Sequence, residues 1–157
     1  MGTFIDNQEK QLRKQYHLLS RELGMSDEDR RAMLHDNFSV DSSADLDAHQ
    51  LIDLVHTLEK RLGNETDDWR KRVIASIGGW LRSEGMEKPD PVENMRYIKQ
   101  IACRATQHRI FNSIPLARLR NLYHEFRNKQ TDKRQVDFIV DEELARHALL
   151  TQPLAEA

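Results

Sequence analysis

Asp47-Ala48-His49-Gln50-Leu51-Ile52-Asp53-Leu54-Val55-His56-Thr57-Leu58 is the stretch that decides the fold class. Asp47 and Gln50 stand at the spacing of a capping box, and Leu46 with Leu51 supplies the hydrophobic staple that fixes the angle of chain entry. Leu51, Leu54, Val55, Leu58 and Leu62 then recur at helical period, giving one buried stripe and one wet face. The stripe runs to Gly63-Asn64, where the sequence predicts a helix end.

The same punctuation continues in both directions. Upstream, Leu12, Tyr16, Leu19 and Leu23 predict a first helix from about Gln8 to Leu23, closed by Gly24 in the left-handed C′ conformation. Ser26 caps a short second helix whose inner face is Ala32, Met33 and Leu34, and Asp27, Glu28 and Asp29 complement its dipole. Downstream, a fourth helix is expected from near Asp68 to Gly85, burying some of Trp69, Val73, Ile77, Trp80 and Leu81. Gly78-Gly79 inside it marks a close helix crossing or a bend. Asp90-Pro91 opens a fifth helix with proline at N1, and Val92, Met95, Ile98, Ala102 and Ala105 are its expected buried face. A sixth starts around Ser113 to Pro115 and carries Leu116, Leu119, Leu122, Tyr123 and Phe126. Val136 to Val140 reads as a short extended link, and Asp141-Glu142-Glu143 as the first turn of a last, short helix before a tail after Thr151. Sparse Gly (6) and Pro (4) agree with an all-α chain.

Two halves repeat one plan. Leu23-Gly24-Met25 and Glu84-Gly85-Met86 each close a helix. Leu46, Leu51, Leu54, Val55, His56 and Leu58 match Ile114, Leu119, Leu122, Tyr123, His124 and Phe126 at a constant offset of 68 residues. The reading is two related three-helix modules packed into a compact bundle, with a short C-terminal helix: residues 1–67, 68–134 and 135–157. Their charges have diverged. Residues 1–67 hold 8 Lys/Arg against 14 Asp/Glu, residues 68–134 hold 15 against 7, and residues 135–157 hold 1 against 5. A basic middle between acidic ends creates a local field that attracts polyanions.

Leu19-Ser20-Arg21-Glu22-Leu23-Gly24-Met25-Ser26, then Asp29-Arg30-Arg31-Ala32-Met33-Leu34 and Ser42-Ser43-Ala44-Asp45-Leu46-Asp47, resemble the N-terminal part of the GemA family of regulatory proteins from Mu-like transposable bacteriophages. Trp69 to Gly85, Tyr97-Ile98-Lys99-Gln100-Ile101-Ala102-Cys103-Arg104-Ala105 and Phe111-Asn112-Ser113-Ile114-Pro115 are similar in outline to later parts of such proteins. The resemblance covers most of residues 10–130. It implies a phage or prophage early protein that modulates host gene expression and DNA topology, with host gyrase as an associated target and no enzymatic activity. It carries no catalytic residues over, and it does not account for the basic block.

That block supplies the candidate site. Around Leu119, at about 100° per residue, Arg118 and Arg120 fall on opposite flanks, as do Arg127 and Lys129, while Asn121, His124 and Asn128 face outward. Arginine flanks with outward amides suit a helix seated on phosphates with Asn and His toward base edges, as in helix-turn-helix readers. Arg70, Lys71 and Arg72, with Arg96, Lys99, Arg104 and Arg109, add phosphate contacts. A solvated amphipathic face and a dock for an acidic protein are the alternatives for the same residues. A second functional reading uses the acidic half to occupy a basic host enzyme such as gyrase, without direct DNA binding.

Other chemistry finds little support. The seven histidines contain no i,i+4 pair and show no metal-ligand spacing. Cys103 reads as a small apolar residue, Trp69 and Trp80 as core or interface, and the acidic runs as dipole partners of helix starts. No phosphate-cradling glycine loop is present. The expectation is a non-enzyme without cofactor or metal. A lone cysteine and an N-terminus unlike a signal peptide point to the cytoplasm, and the absence of a long apolar run points to no membrane span.

Overall fold

The computed structural model describes residues 2–151. The fold is all-α: α1 (Gly2–Glu22), α2 (Asp27–Phe38), α3 (Ala48–Ser83), α4 (Pro91–Thr106) and α5 (Leu116–Thr151), with 3-10 turns at Ser43–Asp45 and Phe111–Ser113. Two compact units divide it: Met1–Arg70 with Pro115–Ala117, and Lys71–Ile114 with Arg118–Ala157.

In the first unit the caps form as the sequence predicts. Ser26 accepts from the backbone of Asp29 at 3.1 Å while Asp29 accepts from the backbone of Ser26, and Asp47 and Gln50 make the same reciprocal pair before α3. Tyr16, Leu19, Leu23, Leu34, Leu46, Leu51, Leu54, Val55 and Leu58 are its core. Of the three residues expected inside α2 only Leu34 is buried; Met33 is half-buried and Ala32 exposed. Arg13 on α1 donates to the carbonyls of Ser43 (3.1 Å) and Leu46 (3.2 Å), so a cation here satisfies the end of a 3-10 turn.

The second unit repeats the first element by element. Gly24 and Gly85 both adopt φ near +70°. Each begins a Schellman closure, with Met25 donating to the Ser20 carbonyl and Met86 to that of Leu81. Ser39 and Gln107, 68 residues apart, are left-handed at φ 55° and 58°. At that same separation lie the two 3-10 turns, the buried Leu46 and Ile114 that follow them, and the starts of α3 and α5. Leu51 and Leu119 are both fully buried, as are Leu54 with Leu122 and Leu58 with Phe126.

The glycine pair marks a close crossing. A Cβ on Gly78 would stand 3.4 Å from the Ile98 side chain of α4, and one on Gly79 would stand 3.0 Å from the Gln130 amide of α5. Gln130 is buried because its amide donates to the Ser76 carbonyl at 2.6 Å, which that close approach permits.

Three helix boundaries differ from the sequence reading. α3 does not stop at Gly63-Asn64 and restart near Asp68. One interior glycine costs about 1 kcal/mol, and the Arg61–Glu65 ion pair (3.3 Å) and the Thr66 hydroxyl on the Leu62 carbonyl (2.6 Å) span the gap. α5 likewise absorbs both the expected extended link and the expected last helix. No Gly or Pro interrupts Leu116–Thr151, and Lys133–Asp137 and Glu143–Arg146 pairs brace it. Asp141-Glu142-Glu143 therefore sits inside a helix and complements no helix start. α1 begins at Gly2, ahead of Gln8.

Candidate anion-binding cleft

α4 buries Ile98, Ala102 and Thr106, a stripe at i, i+4 and i+8. Ile98 and Ala102 lie on the expected face, but the stripe is narrower than expected: Val92, Met95 and Ala105 are exposed, and Val92 keeps 67% of its surface. Thr106 joins the stripe. Its hydroxyl bonds back to the Ala102 carbonyl at 2.8 Å, so it can be buried without an unmet donor.

One flank of α4 carries Val92, Arg96 and Lys99, all exposed, with half-buried Cys103. Gln107 closes the helix in the left-handed region, with His108 donating to the Cys103 carbonyl at 3.0 Å, and the chain folds back through Arg109 and Ile110 into the 3-10 turn. Phe111 anchors that turn in the core, and the Lys99 ammonium lies 5.7 Å from its ring centroid. Between helix and turn opens a cavity of about 350 Å³ lined by Arg96, Lys99, Gln100, Cys103, Arg109, Ile110, Phe111 and Asn112. Arg96 and Lys99 also border a neighbouring groove of about 470 Å³ formed with Pro91, Val92 and Met95.

The first unit has the corresponding cavity, of about 250 Å³, between α2 and its own 3-10 turn. Arg31, Asp41, Ser42 and Ser43 line it where Lys99, Arg109, Ile110 and Phe111 line the other, each 68 residues on. There the charges balance: Arg30 and Arg31 face Asp27 and Asp41, and Arg30 is ion-paired to Asp27. The cleft of the second unit has three cations and no carboxylate in its lining.

The other residues proposed from sequence are placed as follows. Arg118 and Arg127 are exposed on α5 without a carboxylate partner among the described residues, and Arg104 stands likewise on α4. Asn121, His124 and Asn128 share the outer face of α5, with Arg120 half-buried on its flank. Lys71 and Arg72 are exposed on α3. Arg70 and Lys129 are engaged elsewhere. Arg70 belongs to the first unit and pairs with Asp67 at 2.5 Å. Lys129 pairs with Glu125 at 3.7 Å and covers the Trp80 and Phe126 rings at 5.4 and 4.8 Å. Trp80 and Phe126 themselves meet edge to face.

The sequence reading thus named Arg96, Lys99 and Arg109 but not the cleft that unites them, nor Gln100, Ile110, Phe111 and Asn112 in its wall. Extending the 68-residue alignment upstream of Ile114 exposes the signal, because Arg109 then falls on Asp41. Among the described residues no group of three or more His, Cys, Asp or Glu stands close enough to hold a metal ion, and no helix is long and apolar enough to cross a membrane. No protein-family model, curated protein or solved structure matches the chain.

Proposed function

We propose that this chain is a DNA-binding regulatory protein of the GemA-like kind, acting by binding and not by catalysis in the cytoplasm of a bacterial host. One observation carries the reading: Arg96, Lys99, Arg104, Arg109, Arg118 and Arg127 of the second unit have no carboxylate partner among the described residues. Exposed, uncompensated guanidinium and ammonium groups are what neutralises phosphates and releases their counterions. Arg104 on α4 would hold the backbone, Arg118 and Arg127 would seat α5, and Asn121, His124 and Asn128 would face base edges.

The test is a gel-shift titration on closed circular duplex at two salt concentrations. Binding near 50 mM salt is expected, with affinity falling steeply toward 200 mM. Replacing Arg118 and Arg127 by Ala should flatten the logarithmic salt slope by about one per lost phosphate contact. Absence of a shift at the lower salt would overturn the reading. Tight binding to a topoisomerase, unaffected by these substitutions, would instead favour occupation of a host enzyme through the acidic half.

A further inference from the structure

We infer that the cleft between α4 and the Phe111–Ser113 turn is a site for a phosphomonoester, the terminal phosphate of a nucleotide, distinct in chemistry from the internal phosphodiesters of a duplex. The inference rests on the proposed nucleic-acid role only for where that terminal phosphate comes from.

Charge stoichiometry is the first argument. A phosphodiester in a strand carries one negative charge, and a duplex backbone is met by cations spread along its track. Here Arg96, Lys99 and Arg109 line one cavity of about 350 Å³ with no carboxylate among them. Three positive charges exceed what a single diester neutralises. A phosphomonoester, with close to two negative charges and three acceptor oxygens near neutral pH, is the better match.

The second argument is what lies beside the cations. Arg96 and Lys99 are shared with the groove of Pro91, Val92 and Met95, where the first turns of α4 leave apolar side chains in water. Ile110, 65% exposed, stands on the other wall. An apolar shelf next to a cationic cleft fits a phosphate attached to a flat ring, with the base over Val92 and Met95. Inorganic phosphate would use only half of that surface.

The third is the internal comparison. The corresponding cavity of the first unit has the same backbone frame, and Asp27 and Asp41 cancel its arginines. The frame alone therefore does not require a cationic lining.

Three probes separate the sources of the phosphate: a DNA hairpin bearing a 5′-phosphate, the same hairpin with a 5′-hydroxyl, and a free nucleoside 5′-monophosphate. The phosphorylated hairpin should bind about tenfold more tightly than the hydroxyl form, the worth of one charge-assisted contact set. Arg109→Asp, which recreates the charge of the first unit's cavity, should abolish that preference. Lys60→Asp, the same charge change on an exposed face of α3, should leave it intact, and circular dichroism checks that both variants fold. Competition by the free monophosphate at comparable concentration assigns the site to a small nucleotide; no competition assigns it to a strand end. Equal affinity for the two hairpins together with no binding of the monophosphate overturns the inference. Closed circular duplex has no ends, so its gel shift judges the DNA-binding reading separately.

Discussion

The two units share a chain path and differ in what they do with charge. In the first, Arg13 is spent on 3-10 carbonyls and on Glu9, Arg30 on Asp27 and Arg61 on Glu65. In the second, Arg96, Lys99 and Arg109 at the cleft and Arg118 and Arg127 on α5 are exposed without such carboxylate partners among the described residues. Aligned core leucines stay apolar in both while Asp41 of one cleft is matched by Arg109 of the other, so the frame is set by buried leucines and left-handed caps. Surface charge is free to vary around it.

The largest test of that equivalence is at its centre. Leu51→Ala and Leu119→Ala each remove a fully buried side chain 68 residues apart. Both should lose roughly 2–5 kcal/mol in chemical denaturation. A cost under about 1 kcal/mol at either site would break the correspondence. Next comes a feature that only the second unit has. Gly79→Val would drive a branched side chain into the Gln130 amide and its bond to Ser76, costing about 1–3 kcal/mol. Leu18, 61 residues earlier on α1, is 52% exposed, so Leu18→Val should stay within about 0.5 kcal/mol. Equal effects would deny the close crossing.

The smallest effect belongs to the first unit. Burial raises the Tyr16 phenol above its ordinary value of 10.0, against opposing contributions from Arg30 and Ser20. The unfolded chain then ionises first. Stability is full below about pH 10 and falls as pH rises through the folded pKa. Ile77 occupies the matching place in the second unit and does not titrate. Tyr16→Phe should flatten the decline of melting temperature above pH 10; an unchanged slope would remove Tyr16 as its source.

Much of this was legible in the sequence because caps and glycines act locally. Ser26-x-x-Asp29, Asp47-x-x-Gln50 and the two Gly-Met closures each name their own geometry within a few residues. The fully buried Val73, Ile77 and Leu81 followed from period alone. What failed depended on tertiary context or on weak breakers. Gly63-Asn64 resembles a helix end, yet side chains on either side bridge it. Val136 to Val140 has β-branched residues but no glycine or proline to stop α5. The burial of Thr106 on α4 was missed because it hides its hydroxyl on its own helix, which composition does not reveal. The cleft was half visible: its cations were named, but their meeting depends on a left-handed Gln107, a conformation expected of glycine or asparagine.

From Arg134 to Leu150 every residue of α5 is exposed, Val136, Phe138 and Ile139 among them. A chain ending at Arg134 would therefore keep every buried side chain described above. It would lose one arginine and five carboxylates, and its formal charge would pass from −2 to +2. The acidic residues that make the net charge negative thus lie on the exposed end of the chain, apart from the buried side chains that hold the fold.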